Sequence, residues 1–312
     1  MPEYTRIGVA CGGEALRCVE VRREGKGIAV RGVTEIPLPV PLTLEHLLEP
    51  NRMEEVRRAV RLHRAVGNQA QTELAASLGA GLYFVHLFPV DADLHGAEFD
   101  EQVEWELRQS VAQDLDSYNF GAEKLATNVG LVDLAVAAAV RKEVVRALRS
   151  TLEGTFGRLI CVEADVFSAC RAFEANYDAD PLRPTLLLGT GQRACCVAAV
   201  VKQEVRAIAI WPQPEDSADR SATERAGYLR DVIDRFARTH DLSRSLGDLA
   251  GIFLYGEGVD EEFIEALRDS CEAKVLRLDP FLRNRPQETG RGEWAVGVHP
   301  EAFATALGAA LW

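Results

Sequence analysis

Short apolar runs broken by glycine set the pattern at the start of the chain. Ile7-Gly8-Val9-Ala10 reads as a strand, Cys11-Gly12-Gly13-Glu14 as a break, and Ala15 to Val21 as a returning strand. Arg22 to Lys26 turns the chain, and Gly27 to Ile36 gives a third strand. The same unit recurs far downstream. Thr185 to Leu188 is a strand, Gly189-Thr190-Gly191-Gln192 a turn, Arg193 to Val201 the return, and Val205 to Ile210 follows the turn at Lys202-Gln203-Glu204. A strand, a tight glycine turn and a returning strand expose backbone N–H groups that can cradle an anion. Two such units in one chain predict two lobes with a cleft between the turns.

The intervening pattern predicts an insertion in the first lobe. Ile36 to Pro41, with three prolines, reads as a stiff connector, and Arg52 to Val66 as a helix with Met53, Val56, Val60 and Arg64 on one stripe. Glu73 to Leu78 and Gly81 to Val90 read as strands. Phe99, Val103, Leu107, Val111 and Leu115 recur every four residues, which predicts one amphipathic helix over 97–116 with an acidic outer face of Glu98, Glu101, Glu104 and Glu106. Leu131 to Val140 is a buried strand, Lys142 to Leu152 a helix, Leu159 to Ala164 a strand, and Asp165 starts a helix running to Tyr177. The polar stretch 178–184 is the domain boundary. After the second unit come a helix over 223–239, a strand over 251–255 ending at Gly256-Glu257-Gly258, and a helix capped by Asp260. A strand over 274–278 and a closing helix opened by Pro300 complete the chain. The expected division is a first lobe over 1–180, with core 1–40 and 155–180 and insertion 41–154. The second lobe covers 181–312, with core 181–211 and 250–312 and a reduced subdomain at 212–249.

Composition narrows the function classes. The chain has 312 residues, 47% hydrophobic and 27% charged, which is ordinary for a globular protein with a sizeable core. No apolar run approaches the roughly 20 residues that span a bilayer. The formal net charge of -13 argues against sequence-independent binding to nucleic acid or anionic lipid. Seven cysteines sit mostly in apolar runs with no metal-ligand spacing, so buried thiols in a reducing compartment are expected. Histidines 46, 63, 86, 95, 240 and 299 have no ligand-like pairing, and no Gly-x-Ser-x-Gly elbow exists. Gly189-Thr190-Gly191-Gln192-Arg193-Ala194 imitates a dinucleotide fingerprint, but strand rather than helix follows it.

The order of pieces resembles the actin-like ATPases, and within them the type IV pilus assembly protein PilM family. Ile7 to Gly12 leading to Val19-Glu20 is similar to that family's opening motif, and Val103-Glu104-Trp105-Glu106 to Leu115-Asp116-Ser117-Tyr118 to its helix and following turn. Ala137 to Val145, Val162 to Phe167 with Arg171-Ala172-Phe173, Leu278-Asp279-Pro280-Phe281 and Phe303 to Leu311 resemble further motifs in the right order. The resemblance covers nearly the whole chain. It implies an α/β actin-like ATPase fold: two lobes of RNase H-like subdomains, an inserted subdomain in the first lobe and a reduced one in the second.

The departures from that pattern bear on function. Nucleotide-binding relatives carry an Asp at the end of the first strand of each unit, and the matching positions here are Ala10 and Gly189. Mg²⁺ takes oxygen ligands that neither side chain supplies, and phosphoryl transfer rests on metal and positioning. Glu14 stands in the first turn and Glu257 interrupts the Gly-Gly of the adenosine loop, where carboxylates repel a polyphosphate unless Arg17 and Arg193 point inward. The resemblance with these departures therefore implies a pseudo-ATPase with no cofactor expected, ATP binding being disfavoured. Its vestigial nucleotide cleft is made by Gly12, Gly13, Arg17, Gly191, Gln192, Gly256 and Gly258. Glu163 and Asp165 match paired acids that position water, while a plain helix N-cap is the favoured reading of Asp165. Glu14 and Glu257 also read as residues of solvated turns.

The same resemblance implies a cytoplasmic scaffold of a pilus, or related secretion, inner-membrane platform. Its partner would be the N-terminal tail of a PilN-like membrane protein. Leu82, Tyr83, Val85 and Trp105 are the candidate partner-binding residues, with a place in the core as their other reading. A homodimer stays open, and direct membrane insertion is not expected, since no amphipathic anchor helix follows Trp312. The alternative is an active ATP-hydrolysing relative, either filament-forming or like the GspL secretion component.

Overall fold

A computed structural model describes residues 5–24, 27–62, 72–125, 132–191, 193–214, 216–217, 219–286 and 299–312. The first sheet has the order β2-β1-β3-β7, built from β1 (Thr5–Glu24), β2 (Gly27–Leu42), β3 (Glu73–Leu78) and β7 (Arg158–Ala164). Residues 6–11 of β1 run parallel to β3, which runs parallel to β7, and residues 13–24 run antiparallel to β2. The break expected at 11–14 is thus a change of partner inside one extended run, marked by Gly13 at φ +74° and a register jump between Gly13 and Ala15. The proline-rich stretch is not a connector. It completes β2, with Ile36 and Pro37 opposite Leu16 and Ala15. Proline is tolerated because β2 is the sheet edge, where no outer strand needs its missing N–H.

The insertion is smaller than 41–154. Five of the six β3 residues are buried and the strand lies between β1 and β7, as a continuous apolar run in a parallel sheet requires. α1 (Leu44–Leu48), α2 (Pro50–Leu62) and α4 (Lys142–Leu152) cover the outer face of this sheet, where Met53, Val56, Val60, Val144 and Leu148 meet Val9, Leu74 and Leu78. What remains inserted is a three-stranded sheet in the order β4-β6-β5 and one helix. These are β4 (Phe84–Asp91), β6 (Val132–Arg141), β5 (Tyr118–Leu125) and α3 (Ala97–Ser110). α3 stops before its predicted end at 116. Val111 is extended, and the Asp114 carboxylate accepts from the Asp116 N–H at 3.2 Å, a local bond that competes with the helical ladder. The stripe residue Leu115 is still buried, from a 3₁₀ turn.

The second sheet has the order β10-β9-β8-β11-β12, from β8 (Thr185–Thr190), β9 (Ala194–Val201), β10 (Glu204–Pro212), β11 (Gly251–Gly256) and β12 (Val275–Arg277). Its outer face carries α6 (Ala222–Thr239) and α7 (Glu261–Ser270), with Leu229, Ile233, Phe236, Phe263 and Ile264 over Leu186, Val197 and Ile252. Between the two sheets lie α5 (Asp165–Asn176) and α8 (Ala304–Ala310). α5 packs Val166, Ala169 and Phe173 on Leu187, Cys196 and Ala198 of the second sheet. α8, read from sequence as part of the second lobe, lies on β1 of the first, with Phe303, Ala306 and Leu307 against Val19, Val21 and Val30. The helices cross closely because Gly308 lacks a side chain. A Cβ there would run into the Ser168 carbonyl of α5. The inner face of the inserted sheet, through Val85, Leu87 and Val136, joins the same core at Ile208 and Ile210 of β10.

Candidate functional site

The parallel strands of both sheets end at one cleft, the usual place for ligands in open α/β sheets. From the first lobe come the ends of β1, β3 and β7, which deliver Cys11-Gly12-Gly13, Ser77-Gly79 and Asp165. From the second come the ends of β8 and β11, which deliver Thr190-Gly191 and Tyr255-Gly256-Glu257. Gly12, Gly13, Arg17, Gly191 and Gly256 therefore line one cavity, together with Arg193. Gly258 does not. It lies under α6, where Arg225 reaches its carbonyl at 3.4 Å, pairs with Asp260 at 2.9 Å and stacks over Phe263. Gln192 lies outside the described residues.

The two acids expected to oppose phosphate behave differently. Glu14 is exposed and is not part of the cavity lining. Glu257 crosses the cleft. Its Oε1 accepts from Arg17 Nη1 at 2.6 Å, and its carboxylate fills the space that a Cβ on Gly13 would need. Arg17 is held from behind by Glu35 Oε2 at 2.8 Å. The backbone that carries Glu257 is fixed as well, because Thr190 Oγ1 lies 2.6 Å from the Glu257 carbonyl and the Glu257 N–H donates to the Thr190 carbonyl.

The floor of the cleft holds what the sequence did not disclose. At Gly189 a side chain would collide with the Tyr255 ring, so tyrosine occupies the room that a longer residue there would use. Asp165 is not a helix cap. It is the first residue of α5, and its Oδ1 accepts from Tyr83 Oη at 2.5 Å. Burial pushes the Asp165 carboxyl up from 3.8 to about 6, partly opposed by hydrogen bonds from Tyr83 and from the N–H groups of Ala80 and Val166. Burial likewise raises the Tyr83 hydroxyl well above its usual range, and the neighbouring Asp165 adds to this. Glu163, the other candidate acid, is tied to Arg171 at 2.8 Å and to Ser168, and does not line the cavity. Ser77 is a further residue the sequence reading missed. It lines the cavity at 1% exposure with its hydroxyl lacking a hydrogen-bond partner.

The cavity measures about 120 Å³, against roughly 300–1,000 Å³ for most ligand pockets. The Glu257 carboxylate takes the space beside Gly13, and positions 10 and 189 carry alanine and glycine.

Of the candidate partner residues, Leu82 is buried at 5% and lines the cleft, Tyr83 bonds Asp165, and Val85 packs on the second lobe. Tyr83 and Val85 are partly buried. Trp105 is 57% exposed on α3, beside exposed Glu98, Glu101 and Glu104.

Two α/β lobes that share an inner pair of helices and face glycine turns across a cleft define an actin-like ATPase fold. The sequence profile of the type IV pilus assembly protein PilM family matches residues 8–184, more than half of the chain. The protein belongs to that family. Among solved structures it is similar to a PilM–PilN type IV pilus biogenesis complex, at 20% identity and a TM-score of 0.73 over 98% of this chain and 97% of that one. It is also similar to a Bacteroides thetaiotaomicron protein of actin-like ATPase fold and unknown function, at 8% identity and a TM-score of 0.53 over 88% and 91%. No curated protein sequence matches it significantly. Among the described residues, no helix is long and apolar enough to cross a membrane.

Proposed function

We propose that this pilus assembly protein is a non-hydrolysing cytoplasmic scaffold that captures the N-terminal tail of a PilN-like inner-membrane protein. The observation that carries the non-hydrolysing part is the Glu257 carboxylate seated on Arg17 and beside Gly13, where its charge opposes an incoming polyphosphate. Ala10 and Gly189 support it, since phosphoryl transfer depends on metal neutralisation that these residues cannot arrange. The partner reading draws on family membership and on the solved relative, a PilM bound to a PilN, which matches over almost the full chain. The acidic outer face of α3 around Trp105 suits a basic juxtamembrane tail that orders on binding.

Fluorescence anisotropy with a labelled N-terminal peptide of the PilN-like protein encoded nearby tests the partner. A micromolar-range affinity is expected, with Trp105→Ala weakening it about tenfold, as exposed aromatic anchors do. Absence of binding to the full chain would remove the partner assignment. Separately, Mg²⁺-dependent ATP hydrolysis that disappears on substitution of Gly12 would overturn the non-hydrolysing reading.

A further inference from the structure

We propose that Glu257 is a built-in ligand of the glycine cradle: an oxyanion site that the protein fills with its own carboxylate, so that the lobes are latched without a nucleotide. The inference rests on the non-hydrolysing reading above and deepens it. Four residues make the place an oxyanion site. Gly13, at φ +74°, leaves its space open to whatever approaches, and Glu257 occupies that space. Arg17, with only 14% of its side chain exposed, supplies a guanidinium that is pre-set by Glu35 and donates to the incoming oxygen at 2.6 Å. Ser77 adds a buried hydroxyl with no present partner, and Arg193 lines the cavity near the rim with no ion-pair partner among the described residues.

The latch joins the lobes because its halves come from opposite sheets. Arg17 is on β1 and Glu257 follows β11, 240 positions away. A partly buried, charge-assisted pair of this kind is strong, and its rupture leaves a cation facing an open cradle. In a nucleotide-dependent relative of this fold, an external polyphosphate would bridge these turns. Here the bridge is covalently part of one lobe, at an effective concentration that a free anion at physiological level has to overcome. An external oxyanion binds only after Glu257 leaves.

Isothermal titration of the full-length protein with pyrophosphate tests this. The wild type is expected to give no measurable binding, while Glu257→Ala, which vacates the cradle and removes the repelling charge, gains affinity by about tenfold or more. The added substitution Arg17→Ala must abolish that gain. Glu257→Gln keeps the size of the side chain and serves if the alanine variant does not fold, with a smaller gain expected. Equal binding by wild type and variants would overturn the latch, as would no binding by any folded variant. Hydrolysis of ATP by the wild type would instead overturn the reading on which the latch rests, so the two failures are distinguishable.

Discussion

Asp165 and Glu257 face the same cleft with opposite electrostatic settings. Glu257 has a guanidinium at 2.6 Å, whereas Asp165 has only neutral donors, the Tyr83 hydroxyl and two backbone N–H groups. Burial without a cation disfavours the carboxylate, and a native value of about 6 against about 3.9 in the unfolded chain has a definite sign. Between these values the native state holds the proton more tightly, so the contribution is fully present below pH ~4 and is lost as pH rises through ~6. Two units correspond to about 3 kcal/mol. Thermal unfolding across pH 4 to 8 is therefore expected to show stability falling over this window for the wild type. In Asp165→Asn, whose amide oxygen still accepts from the same donors, that part of the slope is expected to vanish. An unchanged pH profile in the variant would place the carboxylate in contact with water.

At the scale of elements, the stripe of Met53, Val56 and Val60 was legible and matches the buried face of α2, with Arg64 outside the described residues. The glycines at 12 and 13, by contrast, read as a turn and instead mark a change of partner inside β1. The prolines of β2 misled because their meaning depends on whether a strand is central or at an edge, a tertiary fact. β5 went unread because its exposed middle, Asn119 to Gly121, carries no alternating pattern. In the site, the glycines and Arg17 could be read from their motif, whereas the Tyr255 ring against Gly189 and the Tyr83–Asp165 bond join distant segments and leave no local spacing. The tightest contact between elements is also tertiary. Helix propensity alone favours Gly308→Ala by about 1 kcal/mol. The new Cβ would meet the backbone carbonyl of Ser168, which cannot rotate aside as a side chain can. Overpacking of this kind costs about 1–3 kcal/mol, so a net loss of up to about 2 kcal/mol in denaturant unfolding is expected. A stabilised variant would mean that α5 and α8 part freely.

The whole molecule is a stack in which neither sheet owns its inner cover. α1, α2 and α4 lie outside the first sheet, α6 and α7 outside the second, and α5 with α8 fill the space between. The chain crosses from one lobe to the other at 178–184 and returns with α8, so the first lobe is finished only when the last residues arrive. All seven residues of α8 are buried, and they cover Val19 and Val21 of β1 and Val30 of β2. Arg6 of β1 donates to the carbonyl of Trp312 and pairs with Glu73 of β3, which fixes the end of the chain to the first sheet. Removal of residues 299–312 would expose that face of the first sheet and half of the contact made by α5. Buried apolar area contributes roughly 25 cal/mol per Å², and whole domains are stable by only about 5–15 kcal/mol, so losing one complete inner layer exceeds what the lobe can spare. A chain ending at residue 298 is expected to lose cooperative unfolding in both lobes, followed by Trp211 fluorescence in the second and by a probe on α2 in the first. If the second lobe kept its transition while the first lost its own, α5 alone would suffice to cover the second sheet. The lobes would then be joined chiefly at the cleft, through Arg17 and Glu257.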